Sequence, residues 1–200
     1  MRQNLQEAKQ KSAYVLDLIS KKTLTPDERA RVVEESARYW TDHVNEGFLQ
    51  FRKSVSTDYT AVEWEDEGAV FRDIHGKEFI DILGGYGIYV VGHRHPRVMK
   101  AVRDQLDRQA IHSQELIDPL RTYLANLVAL ITPGDLQFAF FTNSGTESVE
   151  GCLKMAVLAT GRHHFIGAAG AFHGKSMGSL GGTSKAVFRE PFLPLLHWTH

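Results

Sequence analysis

The sequence has a single cysteine, Cys152, so it cannot carry an internal disulfide framework. That usage suits a reducing compartment and makes the cytoplasm the expected location. It has no apolar run near the roughly 18–20 residues that cross a bilayer, so no membrane partner is expected. Its start, Met1-Arg2-Gln3-Asn4, leads into a polar stretch with no apolar signal core. Neither sign of charge is in excess: 23 Lys and Arg against 24 Asp and Glu leave a formal net charge of −1. Nothing in that balance calls for a polyanion, which removes nucleic acid from the expected partners. The charges are also interspersed, as at Arg103, Asp104, Asp107 and Arg108, the pattern of a solvated helix face. Internal repeats and low-complexity segments are missing. No Gly-x-x-x-x-Gly-Lys-Ser/Thr phosphate loop occurs, and no Gly-x-Ser-x-Gly elbow marks Ser144 as a hydrolase nucleophile. Ten histidines, including His93, His95, His163, His164, His197 and His200, raise the question of a metal. With no His-Glu-x-x-His and no second cysteine, none is expected.

What remains is an ordinary globular composition, 42% hydrophobic and 24% charged over 200 residues, enough for one domain or part of a larger one. Leu5, Ala8, Ser12, Val15, Leu16 and Ile19 recur at helical spacing and predict an amphipathic helix over the first twenty residues. Thr25-Pro26-Asp27-Glu28 combines an N-cap residue, a first-turn proline and acids at the positive end of the dipole. The helix it opens is expected to run through Trp40 to Val44 and to end at Asn45-Glu46-Gly47, with no clear period over 48–60. Short strands are predicted around Val62-Glu63-Trp64, Ala69 to Ile74 and Phe79 to Leu83, with turns at Gly68 and His75-Gly76-Lys77. Pro96 and Asp118-Pro119 each open a further helix. The second turns Leu120, Tyr123, Leu124, Leu127, Val128 and Ile131 inward and stops at Thr132-Pro133-Gly134. Leu136 to Phe141 reads as a strand buried on both faces, and Phe165 to Ala169 as a second one. A helix carrying Val149, Cys152, Leu153, Ala156 and Val157 lies between them. Strand, helix and strand in that order open an α/β sheet. The last residues, Pro191 to His200, form an apolar run with no closing helix or polar tail, which reads as a cut through a fold.

Chemistry concentrates at two loops. Asn143-Ser144-Gly145-Thr146-Glu147 ends the first buried strand and starts a helix, with Ser144 as N-cap and Glu147 in the capping-box position. Free amides, hydroxyls and the positive end of a helix dipole attract a phosphate there, and Gly145 permits close backbone approach. A plain helix cap is the competing account. Gly170-Ala171-Phe172-His173-Gly174-Lys175 follows the second strand, at the edge where open α/β sheets take their ligands. Phe172 offers a flat face for an aromatic ring and His173 a polar edge, or Phe172 plugs the core and His173 is a loop residue.

Asn-Ser-Gly-Thr-Glu followed some 25 residues later by Phe-His-Gly resembles the class III aminotransferases, which are fold-type I enzymes dependent on pyridoxal 5′-phosphate (PLP). Phe79-Ile80-Asp81 with Gly84-Gly85-Tyr86-Gly87, and Gly92-His93-Arg94-His95-Pro96, resemble the strand and glycine turn that lead into that family's large domain. His112-Ser113-Gln114-Glu115-Leu116, Asp118-Pro119-Leu120, Pro191-Phe192-Leu193-Pro194 and the extended helical N-terminus look most like its putrescine-type members. The resemblance covers nearly the whole chain. It implies an incomplete α/β fold: a helical arm over 1–60, the strand-rich part of a small domain over 61–95, and the first part of the large PLP domain over 96–200.

The resemblance also implies site roles. Ser144, Gly145 and Thr146 match the segment that binds the PLP phosphate, Phe172 the residue stacked on the pyridine ring, and His173 follows it in the motif. Gln114 and Tyr86 fall in segments that line the substrate approach. The acid that pairs with the pyridinium nitrogen and the lysine that forms the Schiff base have no counterpart, and Lys154, Lys175 and Lys185 do not stand at the matching position. No catalytic residue is therefore expected in the chain, which should bind PLP poorly and be inactive alone. The parent enzyme is expected to move an amino group from a diamine such as putrescine to a 2-oxo acid, 2-oxoglutarate first, as a homodimer or higher oligomer. A natural truncated paralogue acting as a non-catalytic binding partner is the alternative from another class. Amine–pyruvate transaminases and aminomutases are the alternatives within the family.

Overall fold

Thr25 begins the best-defined helix start of the chain. Its hydroxyl accepts the Glu28 amide at 3.3 Å while the Glu28 carboxylate accepts the Thr25 amide at 2.8 Å, a complete capping box. The computed structural model describes residues 2–55, 62–113 and 115–196, and its packing falls into two units, Met1–Ile111 and His112–His200.

The first unit opens with α1 (Arg2–Ser20) and α2 (Pro26–His43). Lys11 reaches from α1 to Glu35 of α2 at 2.8 Å and lies over the Tyr39 ring, while Arg31 lies over Tyr14. A third helix, α3 (Glu46–Val55), follows where no periodicity had been expected. Asn45, read as a stop, is also a start: its side-chain oxygen accepts the Phe48 amide at 3.1 Å, and Phe48 then packs on Trp40. Three antiparallel strands follow in sheet order β1 (Glu63–Glu67), β2 (Val70–Asp73), β3 (Glu78–Ile80). The β1–β2 register slips between Glu63 and Glu65, so a bulge forms at Trp64. Phe71 and Phe79 face each other across β2 and β3 with rings 5.0 Å apart and nearly parallel. Leu24, Val32 and Ile74 form the core of this unit, with Leu18, Val33, Val62 and Trp64 against them. After the sheet come a one-turn segment, α4 (Gly84–Gly87), and a regular helix, α5 (Pro96–Arg108).

The second unit holds α6 (Pro119–Ile131), α7 (Gly145–Thr160), α8 (Met177–Gly182), α9 (Ala186–Arg189) and a 3-10 turn over Glu190–Leu195. Asp118 caps α6 by accepting the Leu120 amide at 2.9 Å, and Gly161 closes α7 in the left-handed conformation. Three sequence expectations fail here. Leu136–Phe141 and Phe165–Ala169 form no strands, and Phe138 and Ile166 lie fully open to solvent. A strand exists only through a ladder with a neighbour: Leu136–Phe141 joins none among the described residues, and Phe165 makes no more than an isolated bridge. The α6 residues expected to face inward, Leu120, Tyr123, Leu124, Leu127, Val128 and Ile131, are exposed, because no apolar surface among the described residues covers them. The terminal apolar run was expected to lack a helix, yet residues 190–195 wind into the 3-10 turn; residues 197–200 lie outside those described.

Candidate functional site

The head of α7 is built from its own sequence. Ser144 takes the N-cap position, and its hydroxyl accepts the Glu147 amide at 3.3 Å. The return arm of the capping box goes one residue further back than usual: the Glu147 carboxylate accepts the Asn143 amide at 2.7 Å. Thr142 and Ser148 hydroxyls meet at 2.6 Å and tie the entering chain to the first turn. The amides of Gly145 and Thr146 take no partner among the described residues, and a Cβ added at Gly145 would meet only open space. Two free donors therefore point out of the positive end of a sixteen-residue helix. That is a fit for a phosphate group, and the donors are backbone amides.

The Thr146 hydroxyl faces the other way. It sits 2.7 Å from the Ser176 hydroxyl and 2.6 Å from the fully buried Ser179 hydroxyl, while the Ser176 amide donates to it at 3.4 Å. These contacts bring the second loop against the first. A Cβ at Gly174 would overlap the Thr146 and Ser179 side chains, so only glycine lets the chain pass there. Gly174 also holds φ at 122°, a region that suits glycine. Just before it, the His173 amide donates to the Thr183 hydroxyl at 3.0 Å, and that hydroxyl donates to the Gly174 carbonyl at 2.8 Å. The segment Ser144-Gly145-Thr146 thus meets the Phe172-His173-Gly174 loop through Thr146 and Gly174.

Phe172 is 58% exposed, so it does not plug a core. One edge meets Phe188 at 6.1 Å, and the Lys175 and Lys185 ammonium groups lie over that second ring at 4.7 and 5.4 Å. His173 is exposed, with Cδ2 close to Gly182, where a Cβ would stand 2.9 Å away. Sequence reading missed Glu150, Ser176, Ser179 and Thr183, which organise this corner. Their signal was the small-residue run Ser176 to Thr183, which reads as a loop until a carboxylate is found to cap it.

In the first unit, Tyr86 stands in α4 with φ 60° and ψ 32°, between Gly85 and Gly87 that also have positive φ. The turn is left-handed, an arrangement that costs a side-chain-bearing residue about 1–2 kcal/mol. Asp81 fixes its entrance by accepting the Leu83 and Gly84 amides at 3.0 and 2.8 Å on one oxygen. Its other oxygen meets His93 Nε2 at 2.8 Å, and His93 Nδ1 meets Asp66 at 2.9 Å. His93 is 4% exposed, with the Tyr89 ring 3.8 Å away. The hydrogen bond to Asp81, supported by Asp66 and opposed by burial, raises the His93 pKa, and the same bond holds Asp81 below the usual carboxylate range. A paired bridge from His93 to Gly68 completes the join, and Gly92 is required because a Cβ there would strike the Gly68 carbonyl. The Phe79-Ile80-Asp81, Gly84–Gly87 and Gly92-His93 motifs thus converge on one buried imidazole. Gln114 lies outside the described residues.

Residues 53–198 match the family described as aminotransferase class III, and the chain belongs to that family. Its fold is that of solved transaminases. It is similar to a thermostable (S)-enantioselective omega-transaminase from Thermomicrobium roseum at 25% identity and TM-score 0.70, over 90% of this chain and 41% of that one. An adenosylmethionine-8-amino-7-oxononanoate aminotransferase from Methanocaldococcus jannaschii aligns over 76% of this chain and 39% of its own, at 24% identity and TM-score 0.66. A taurine:2-oxoglutarate aminotransferase from Bifidobacterium kashiwanohense, solved with PLP and glutamate, aligns over 70% and 32%, at 23% identity and TM-score 0.66. The chain therefore spans between 32% and 41% of the length of these structures. Class III aminotransferases depend on PLP, and the two free amides at the head of α7 suit its phosphate.

Proposed function

We propose that this chain is the N-terminal portion of a PLP-dependent transaminase that moves an amino group from a diamine such as putrescine to 2-oxoglutarate. The observation that carries the reading is the pair of amides at Gly145 and Thr146, unpartnered among the described residues, with Thr146 against Gly174 of the loop that carries the exposed Phe172. Those amides, with the Ser144 hydroxyl, bind the cofactor phosphate. Phe172 lies against the pyridine ring and His173 flanks it. Bound PLP supplies the electron sink for charge developing on the amine carbon. The chain's own contribution is binding and orientation: the dipole of α7 neutralises phosphate charge, and the Thr183 clamp on His173 and Gly174 keeps the ring platform from drifting.

Tyr86 and Gln114 are assigned to the amine approach, and the diamine preference is supported by the likeness of residues 112–120 to putrescine-type members. The Schiff-base lysine and the acid facing the pyridinium nitrogen are assigned to the remainder of a whole protein of the length of its structural relatives. We assign residues 1–60, 61–95 and 96–200 to its helical arm, small domain and large domain, and the whole protein to a homodimer or higher oligomer. The test is amine-dependent formation of glutamate from 2-oxoglutarate by the full-length protein carrying PLP, with putrescine, ornithine and taurine compared as donors. Putrescine-dependent glutamate supports the reading. Glutamate formed only from another donor overturns the diamine assignment, and no glutamate from any donor overturns the transaminase reading.

A further inference from the structure

The short helix α8 has an unpromising sequence. Three of its six residues are glycines, each unfavourable in a helix by about 1 kcal/mol relative to alanine. Its N-cap residue, Ser176, makes no side-chain cap bond of its own. A residue from another helix supplies the cap instead. Glu150, in the second turn of α7, accepts the Ser179 amide at 3.0 Å and the Ser176 hydroxyl at 2.5 Å, with the Gly178 amide on the same carboxylate. A Cβ at Gly178 would overlap that carboxylate, so the sequence keeps room for it. Burial alone would raise the Glu150 pKa, but the Ser176 hydroxyl and the Ser179 and Gly178 amides outweigh it and hold the group below the usual range.

Both anchors of the proposed cofactor corner hang from α8. At its start, the Ser176 and Ser179 hydroxyls hold Thr146 in the first turn of α7. At its end, Thr183 holds the His173 amide and the Gly174 carbonyl. We infer that Glu150 is a positioning residue for the phosphate end of the cofactor: by capping α8 it fixes the Thr146 turn, and with it the two free amides, against the Phe172-His173-Gly174 loop. This rests on the PLP reading above. The Glu150 carboxylate takes its hydrogen bonds from Ser176 and Ser179 at the head of α8, so it acts through them rather than on the ligand.

The test compares PLP with pyridoxal, which shares the ring and aldehyde but has no phosphate. Apo full-length protein, wild type and Glu150→Gln, is titrated with each and followed by cofactor absorbance. Glutamine places an N–H group where the carboxylate received only donors. Loss of one charge-assisted hydrogen bond corresponds to roughly a ten- to hundredfold change in binding. The expected result is a fall of that size for PLP, with pyridoxal affinity unchanged. Equal losses for both ligands, or no loss for either, overturn the inference. A wild-type protein that binds PLP no better than pyridoxal overturns the phosphate-site reading itself. Ser176→Ala, which removes the hydroxyl between Glu150 and Thr146 while leaving the amide cap, is the second variant should Glu150→Gln fail to fold. It is expected to lower PLP affinity selectively in the same way, and an unchanged ratio of PLP to pyridoxal affinity in it also overturns the inference.

Discussion

The Thr183 hydroxyl accepts the His173 amide at 3.0 Å from a position with no solvent exposure. The same oxygen donates to the Gly174 carbonyl at 2.8 Å, so one side chain satisfies two backbone groups of the loop. Thr183→Val keeps the shape and removes both bonds. We predict a loss of roughly 1–3 kcal/mol in thermal or denaturant unfolding of the full-length protein, because the stranded amide keeps its desolvation cost. Thr183→Ser, which retains the hydroxyl, should stay within about 1 kcal/mol of wild type. Equal losses in the two variants would show that the methyl group, and not the hydroxyl, holds the loop.

Gly174 meets two independent demands, a φ of 122° and the passage of its backbone against the Thr146 and Ser179 side chains. Gly174→Ala should therefore cost more than backbone strain alone, which is roughly 1–3 kcal/mol. Gly170 has a positive φ of 82° but nothing within 4 Å of an added Cβ. Gly170→Ala thus isolates the strain component. The expected order in melting temperature is wild type, then Gly170→Ala, then Gly174→Ala. A reversal of the last two would mean that the packing at Gly174 yields easily.

How much of this was legible in the sequence follows from the range of each signal. The Thr25 capping box, the turns at Gly68 and His75-Gly76-Lys77, the three strands and the Ser144 cap are local and all form, although the first strand runs on to Glu67 and the third stops at Ile80, short of the expected Leu83. Leu136–Phe141 carried an equally clear apolar signal, yet a strand depends on a neighbour that local pattern cannot supply. The helix α8 failed in the opposite sense: glycine-rich and unconvincing alone, it depends on Glu150, 26 residues before its N-cap. Sequence separation also hid the Asp66–His93–Asp81 join, whose two bonds span 27 and 12 residues. Asp81 and His93 were visible within motifs that resembled a family, but Asp66 was not, nor was the contact among the three.

That join makes a prediction about pH. Asp66 of β1, Asp81 after β3 and the exposed Arg94, which bonds the Asp66 carbonyl at 3.2 Å, surround the imidazole together with the Tyr89 ring. With both ring nitrogens facing carboxylates, only the imidazolium donates to each. The raised His93 pKa means its contribution is fully present below the ordinary histidine value of 6.5 and is lost as pH rises through the folded value. The lowered Asp81 pKa works in the other direction: its contribution is present above the ordinary 3.8 and is lost as pH falls through the folded value. The unit should be most stable between these limits. Asp81→Asn should bring the His93 midpoint down towards 6.5, read from the ring proton shifts by NMR. A midpoint unchanged in that variant would assign the raised value to Asp66 alone.

Tyr86 presents the opposite case, a residue the fold would be better without. It holds a left-handed conformation while its ring is 89% exposed, so little packing offsets the strain. The three glycines around it adopt the same region without that penalty, and asparagine enters it more readily than tyrosine does. Tyr86→Asn should therefore stabilise the protein by about 1 kcal/mol. Strain kept at an exposed position is a pointer to function when the surrounding structure enforces it, and Asp81 does so by fixing the entrance to the turn. If Tyr86 lines the amine approach, as proposed, the stabilised variant should show a raised KM for the amine donor with the KM for the 2-oxo acid unchanged. A variant that is more stable and equally active would leave the tyrosine without a role at the site. A variant that is less stable would mean the left-handed turn is held by contacts of the ring itself.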